Sequence, residues 1–216
     1  MNVHRVYEIL GGNFRRRRMA LFTRLLAVRG DTSILDLGGS ARTWDRHVAK
    51  RRVTVLNLDP RCLEGHSSTA VGDALAAPFP DHSFDLVFSN SVIEHLGTAH
   101  RQQVFASEVR RLSRDGYFVQ TPNKWFPIEP HYLAPFVHWI PQRLRPAVVR
   151  WATPRGWLAK PSPESCRNMC REIHLLGARD MSRLFPEARI VRERVFGVTK
   201  SLIAVWRPGG QGTARW

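Results

Sequence analysis

The stretch Ile34-Leu35-Asp36-Leu37-Gly38-Gly39-Ser40 limits the fold of this chain more than any other. Apolar residues on both sides of the chain mark a strand buried on both faces, as in a parallel sheet. Two glycines directly after it read as a tight turn. A strand ending in a glycine turn is how a nucleotide pocket opens in many α/β proteins. The spacing of the glycines then restricts the ligand. A pyrophosphate cofactor asks for G-x-G-x-x-G, so that backbone and a helix N-terminus can approach the phosphates. Counted from Gly38, the further glycines are due at 40 and 43, where Ser40 and Thr43 stand. No G-K-[ST] phosphate loop occurs either. A ligand without phosphates needs only one tight bend and close backbone approach.

The rest of the chain repeats the alternation. A lead-in helix is expected over 13–28, with Leu21, Phe22, Leu25 and Leu26 at helical spacing. Strands are expected at 33–38, 53–59 ("VTVLNLD"), 68–73, 84–90 ("FDLVFSN") and 116–122, the last stopped by Pro122. Helices are expected over 43–50 and 98–114, the second presenting Val104, Phe105, Val109 and Leu112 on one face. Strands separated by helical connections imply a mostly parallel sheet with helices on both faces, and place binding at the strands' C-terminal ends. A helix over 178–186 and two strands meeting at Gly197 close the pattern as a hairpin.

Between 122 and about 165 the texture changes. Nine of the fourteen prolines fall there, too many for a regular element. Trp125, Trp139, Trp151 and Trp157 make the same stretch too apolar for a linker. It reads as an inserted cap of short helices, one over 143–152. Its position after the fifth strand puts it beside the pocket. The expected organisation is one domain across 1–216, with a cofactor-binding core at 30–122, a substrate cap at 122–170 and a closing segment at 178–206.

Three acids fit a nucleoside without phosphate. Asp59 follows the second strand and can accept both ribose hydroxyls. Asp73 ends the third strand and can accept an adenine N–H, with Ala74 and Leu75 against the ring. Asp36 lies near the positive end of such a ligand. Gly38, Gly39 and Ser40 supply the turn, Ser40 keeping a donor. Asn90 ends the fourth strand at the same rim.

Taken in order, Asp36-x-Gly38, Asp59, Gly72-Asp73-Ala74, Phe79-Pro80, Phe84-Asp85-Leu86-Val87, Asn90 and Glu94-His95-Leu96 resemble the class I S-adenosylmethionine-dependent methyltransferases, in the branch with an "FDLV…EHL" segment. The resemblance covers about 30–122 and 178–206. It implies a Rossmann-like seven-stranded sheet whose last strand is antiparallel, and S-adenosylmethionine as cofactor. The family's turn is D-x-G-x-G-x-G, so Ser40 and Arg42 depart from it.

Methyl transfer to a hydroxyl needs a group that removes the proton. Glu94 and His95 follow the fourth strand; Glu129 and His131, in "IEPHY", follow the fifth. These two strands are expected to pair, which makes the four residues candidates for catalysis. Some O-methyltransferases of the superfamily carry E-x-x-E-H and bind a divalent cation, and here Ser91 replaces the first glutamate. Glu94, His95, Glu129 and His131 are the ligands such a site would have, with Mg2+ as a further cofactor. The structural alternatives are a helix start at Glu94-His95 and a hydrogen-bonded hinge at Glu129-His131.

The cap's tryptophans beside polar groups suit a sugar, and "TPNKWFPIEPH" resembles bacterial methyltransferases of glycan type. The expected reaction is O-methylation of a sugar or oligosaccharide hydroxyl. The alternatives are a phenolic or quinone-type acceptor, RNA, and a cofactor-binding protein without turnover. A formal net charge of +15 favours an anionic partner. The excess is scattered beyond Arg15–Arg18, with no interleaved aromatics, which argues against nucleic acid as the main partner. No apolar run spans a membrane and no secretory leader is evident, so a cytoplasmic protein without a transmembrane segment, able to form a homodimer, is expected. Cys62, Cys166 and Cys170 are read as reduced thiols.

Overall fold

The computed structural model describes residues 3–44, 52–66, 68–129 and 134–209. Seven strands form one sheet: β1 (Ile34–Leu37), β2 (Val53–Asn57), β3 (Thr69–Val71), β4 (Phe84–Asn90), β5 (Ser113–Pro122), and, after a two-stranded ribbon of β6 (Ile128–Glu129) and β7 (Ala134–Pro135), β8 (Arg189–Val195) and β9 (Val198–Trp206). The order across the sheet is β3-β2-β1-β4-β5-β9-β8. β1 pairs in parallel with β2 and β4, and β4 with β5, while β9 runs antiparallel to both β5 and β8. The fold is Rossmann-like. From β1 the strand order runs to β2 and β3 on one side and to β4 and β5 on the other, so the crevice for a ligand opens at the C-terminal ends of β1 and β4.

Helix α1 (Val3–Leu25) covers one face. Its Met19 and Phe22, with Leu26 just beyond, pack on Trp44, Phe88, Phe118 and Ile203. Phe22 meets Trp44, Phe88 and Phe118 edge to face, with ring centres 4.9–6.2 Å apart, the arrangement aromatic quadrupoles prefer. On the other face lie α2 (Ala99–Leu112) and, later in the chain, α6 (Ala178–Leu184). Phe105, Val109, Leu112, Met181 and Phe185 close a second core there against Leu35, Val87 and Tyr117. Thr98 caps α2 by accepting the Arg101 N–H. Between β5 and α6 the chain builds α3 (Arg145–Ala152), α4 (Pro154–Ala159) and α5 (Pro163–Glu172). These helices have their own small core of Val137, Val149, Cys166, Cys170 and Ile173.

Several expected boundaries move. The lead-in helix begins ten residues earlier than 13 and ends at Leu25. It runs through Gly11-Gly12 despite that pair's low helix propensity. β5 begins at Ser113 rather than 116: Ser113 pairs with Phe84 and Gly116, with φ of 150°, with Leu86, so the irregularity lies between them, inside the strand. A Cβ on Gly116 would run into the Trp206 carbonyl. β2 and β3 are each shorter than expected. The helix expected over 43–50 falls mainly outside the described residues; the described part is a 3-10 turn over Ala41–Thr43. The expected hairpin at Gly197 is present. Val195 pairs with Val198 across Phe196 and Gly197, both at positive φ, the geometry that matches strand twist in a two-residue hairpin.

Candidate functional site

The glycine turn after β1 is braced from beneath by its own acid. Asp36 is buried, and its Oδ2 accepts the Trp44 indole N–H at 2.7 Å. The Ser40 backbone N–H also bonds to this carboxylate. Burial pushes the Asp36 carboxyl up to about 7, against those two hydrogen bonds, which pull it down. Its Oδ1 is enclosed and has no hydrogen-bond partner among the described residues. Gly39 has no room for a side chain, since a Cβ would overlap the Asp36 carboxylate. Gly38 sits at φ 79°, and a Cβ on it would stand 2.7 Å from Val92. Both glycines are therefore required by the turn itself.

Asn57, at the end of β2, holds the turn from the side. Its Nδ2 donates to the carbonyls of Gly38 at 3.2 Å and Gly39 at 2.6 Å, while its Oδ1 accepts the Asp59 N–H at 2.9 Å. One amide thus couples the turn after β1 to the acid after β2. The sequence reading passed over Asn57; its place just before the "LDP" tip was the available signal.

Asp59 lies beyond β2 on the surface and is gripped by Arg61, whose Nη2 is 2.7 Å from Oδ2. The Arg61 hydrogen bonds hold the Asp59 carboxyl below the usual carboxylate range. Both side chains are exposed, so the pair is easily opened by a competing donor. Asp73 follows β3 and accepts the Leu75 N–H at 2.9 Å, and Ala74 beside it is buried. Asp36 thus lies near the end of β1, and Gly38, Gly39, Ser40, Asp59, Asp73 and Ala74 on the turns that follow β1, β2 and β3, along one edge of the sheet.

Asn90 is engaged from the α1 side. Arg18 Nη1 donates to its Oδ1 at 2.6 Å, and Arg18 Nη2 pairs with Glu193 of β8 at 2.7 Å. After β4 the backbone turns at Ser91, with φ of 57°, and Ser91 Oγ donates to Gln120 Oε1 at 3.0 Å. A 3-10 turn over Ile93–Leu96 then carries Glu94 and His95 in different directions. Glu94 is fully buried, and its Oε2 accepts the Thr121 hydroxyl of β5 at 3.0 Å. Its carbonyl accepts the His174 N–H at 2.7 Å, tying this turn to the segment after α5. His95 is exposed. Glu129 belongs to β6, and His131 lies outside the described residues. Among the described residues, no group of three or more His, Cys, Asp or Glu side chains is placed to hold a metal.

Residues 35–120 match the methyltransferase domain family. That match runs from β1 to β5 and takes in the glycine turn and the three acids. That segment is similar to methyltransferase domains, a family whose cofactor is S-adenosylmethionine. A curated protein of Encephalitozoon cuniculi, described as a methyltransferase, is 35% identical over 122 residues, 53% of this chain and 58% of the relative. The chain therefore spans a little over half the length of that relative. Two solved structures share the fold over 88% of this chain. A Rhodobacter sphaeroides protein named for zinc-dependent alcohol dehydrogenases aligns over 88% of its own length at 15% identity, with a TM-score of 0.60. The PH0226 protein of Pyrococcus horikoshii aligns over 86% of its length at 16% identity, with a TM-score of 0.53. No described helix is long and apolar enough to cross a membrane.

The residues present fit that cofactor. The turn allows backbone approach where no Cβ fits, a buried carboxylate oxygen has no donor among the described residues, and two carboxylates stand just beyond the neighbouring strand ends.

Proposed function

We propose that this chain is an S-adenosylmethionine-dependent O-methyltransferase acting on a hydroxyl of a sugar or glycan-type molecule. The observation that carries the cofactor half is the braced turn: Gly38-Gly39 held between the buried Asp36 and Asn57, with Asp59 and Asp73 beyond. Asp59 would accept the ribose hydroxyls by giving up Arg61, and Asp73 the adenine amine, with Ala74 against the ring. Asp36 and Ser40 would serve the amino-acid end, with Asn90 at the rim. The bound cofactor supplies an activated methyl group.

The protein's own part is then to orient the acceptor and take its proton. His131 and His95 are the bases we assign, since a neutral imidazole accepts a proton near neutrality. Glu129 is the carboxylate that would orient such a base. Glu94 is buried against Thr121 and would position the turn carrying His95. The sugar half of the reading rests on the indoles that α3, α4 and the chain between β5 and α3 leave exposed: Trp125, Trp139, Trp151 and Trp157. Such faces stack on sugar rings. By the same reading, 122–170 is the substrate cap of a single domain.

Transfer of label from methyl-labelled S-adenosylmethionine to a panel of oligosaccharides, phenols and RNA tests the assignment. Labelled oligosaccharide is the expected product. Labelled phenol or RNA would replace the acceptor, and cofactor binding without any labelled product would replace the activity. A chelator arm separates the two proton routes: turnover lost with EDTA and restored by Mg2+ would assign a cation held by Glu94, His95, Glu129 and His131.

A further inference from the structure

A cavity of about 310 Å³ lies between the helices that follow β5 and the turn that follows β4. Gly97 lines it from the β4 side and Lys124 and Trp125 from the end of β5, while Trp139, Arg145 and Arg171 line it from the later segment. It is large enough for one sugar-sized ring. It belongs to none of the cofactor turns described above.

Its charge is one-sided. Among the described residues no carboxylate lines it. Lys124 is already neutralised by Asp180 at 2.6 Å. The two guanidinium groups are not. Arg145 Nη2 donates to the carbonyls of His138 and Ile140, at 2.9 and 3.1 Å, which fixes the side chain but leaves its charge uncompensated. Its Nε is enclosed with no partner among the described residues. Arg171 makes no ion pair among the described residues. Arg145 is half-buried, where a positive charge without a counter-ion is costly, and Arg171 stands exposed beside it; planar guanidinium forks match a carboxylate or phosphate in two-point contact. At the rim stand two exposed indoles, Trp125 and Trp139, the second anchored by its N–H to the Lys124 carbonyl at 3.0 Å.

We infer that this cavity binds an anionic ring: a sugar bearing a carboxylate or phosphate, its charge on Arg145 and Arg171 and its face on the tryptophans. The cavity opens beside the C-terminal ends of β4 and β5, so the anion would anchor the acceptor for methyl transfer. That role rests on the methyltransferase reading; the binding itself does not.

Titration of the full chain by tryptophan fluorescence and calorimetry tests it, with trigalacturonic acid, a hexose phosphate and neutral maltotriose as probes and adenosylhomocysteine alongside. At low salt, saturable binding of at least one anion, roughly tenfold or more tighter than maltotriose, is expected. Which anion binds distinguishes carboxylate from phosphate. The exposed Arg171→Ala should weaken that binding about tenfold and leave adenosylhomocysteine binding unchanged. Anions binding no better than maltotriose, or binding unchanged in Arg171→Ala, would overturn the inference. Anion binding without adenosylhomocysteine binding would keep the cavity and remove the methyltransferase reading.

Discussion

Asp36 is the residue on which the cofactor turn depends, and its ionisation makes a pH prediction. Burial raises its pKa in the folded chain to about 7, from 3.8 in the open chain. The unfolded chain therefore loses this proton first as pH rises, and between those values the folded state is progressively disfavoured. The contribution is fully present below pH about 4 and is lost as pH climbs to about 7, at up to roughly 1.4 kcal/mol per pH unit. Asp36→Asn keeps the acceptor for Trp44 and Ser40 and should flatten that slope. Urea denaturation across this pH range measures it, and a slope unchanged in the variant would place the titrating group elsewhere. Asp59 calls for the opposite experiment. Its pair with Arg61 is exposed and adds little to stability. Asp59→Ala should leave the urea midpoint nearly unchanged while weakening adenosylhomocysteine binding by at least roughly tenfold. Unchanged affinity would remove the ribose assignment.

At the scale of elements, the turn after β1 is shaped by contacts it cannot relax. A methyl group at Gly39 meets the carboxylate that braces the turn. Gly39→Ala should cost about 1–3 kcal/mol and abolish measurable adenosylhomocysteine binding. Calorimetry on the folded variant would detect the loss, and near-normal binding would mean that the turn is softer than its contacts imply. The sequence showed this turn, but not its supports. Trp44 reads as one more apolar residue after the glycines, and Asn57 as a strand end. Their roles appear only when β1 and β2 lie side by side. Likewise Glu94-His95 looks like a catalytic pair along the chain. The 3-10 turn over Ile93–Leu96 sends one side chain inward to Thr121 and the other to solvent.

Across the whole molecule, the apolar interior is divided unequally. The two clusters on the faces of the sheet share its strands, whereas the helices α3 to α5 close over a few residues of their own. A small separate core opens at lower free energy than the sheet. Cys166 and Cys170 report on it, since neither is in a disulfide and both are buried there. They should become reactive to a thiol reagent at urea concentrations below the midpoint for the sheet, while the half-buried Cys62 reacts in the native state. Labelling followed by mass spectrometry distinguishes the three. Protection of Cys166 and Cys170 up to the global midpoint would mean one cooperative unit.

The order of the sheet's seven strands along the chain, its closing hairpin and the glycine turn could all be read from the sequence. Each depends on patterns within a few residues: apolar runs, period-two alternation and turn residues. What the tertiary structure alone decided lies between distant segments. Arg18 joins Asn90, 72 positions away, to Glu193, 175 positions away. Glu94 is buried because Thr121 of the neighbouring strand faces it. The cationic cavity gathers residues from Gly97 to Leu175. Burial and charge compensation are properties of the neighbours a residue acquires on folding, and local spacing along a chain does not record them.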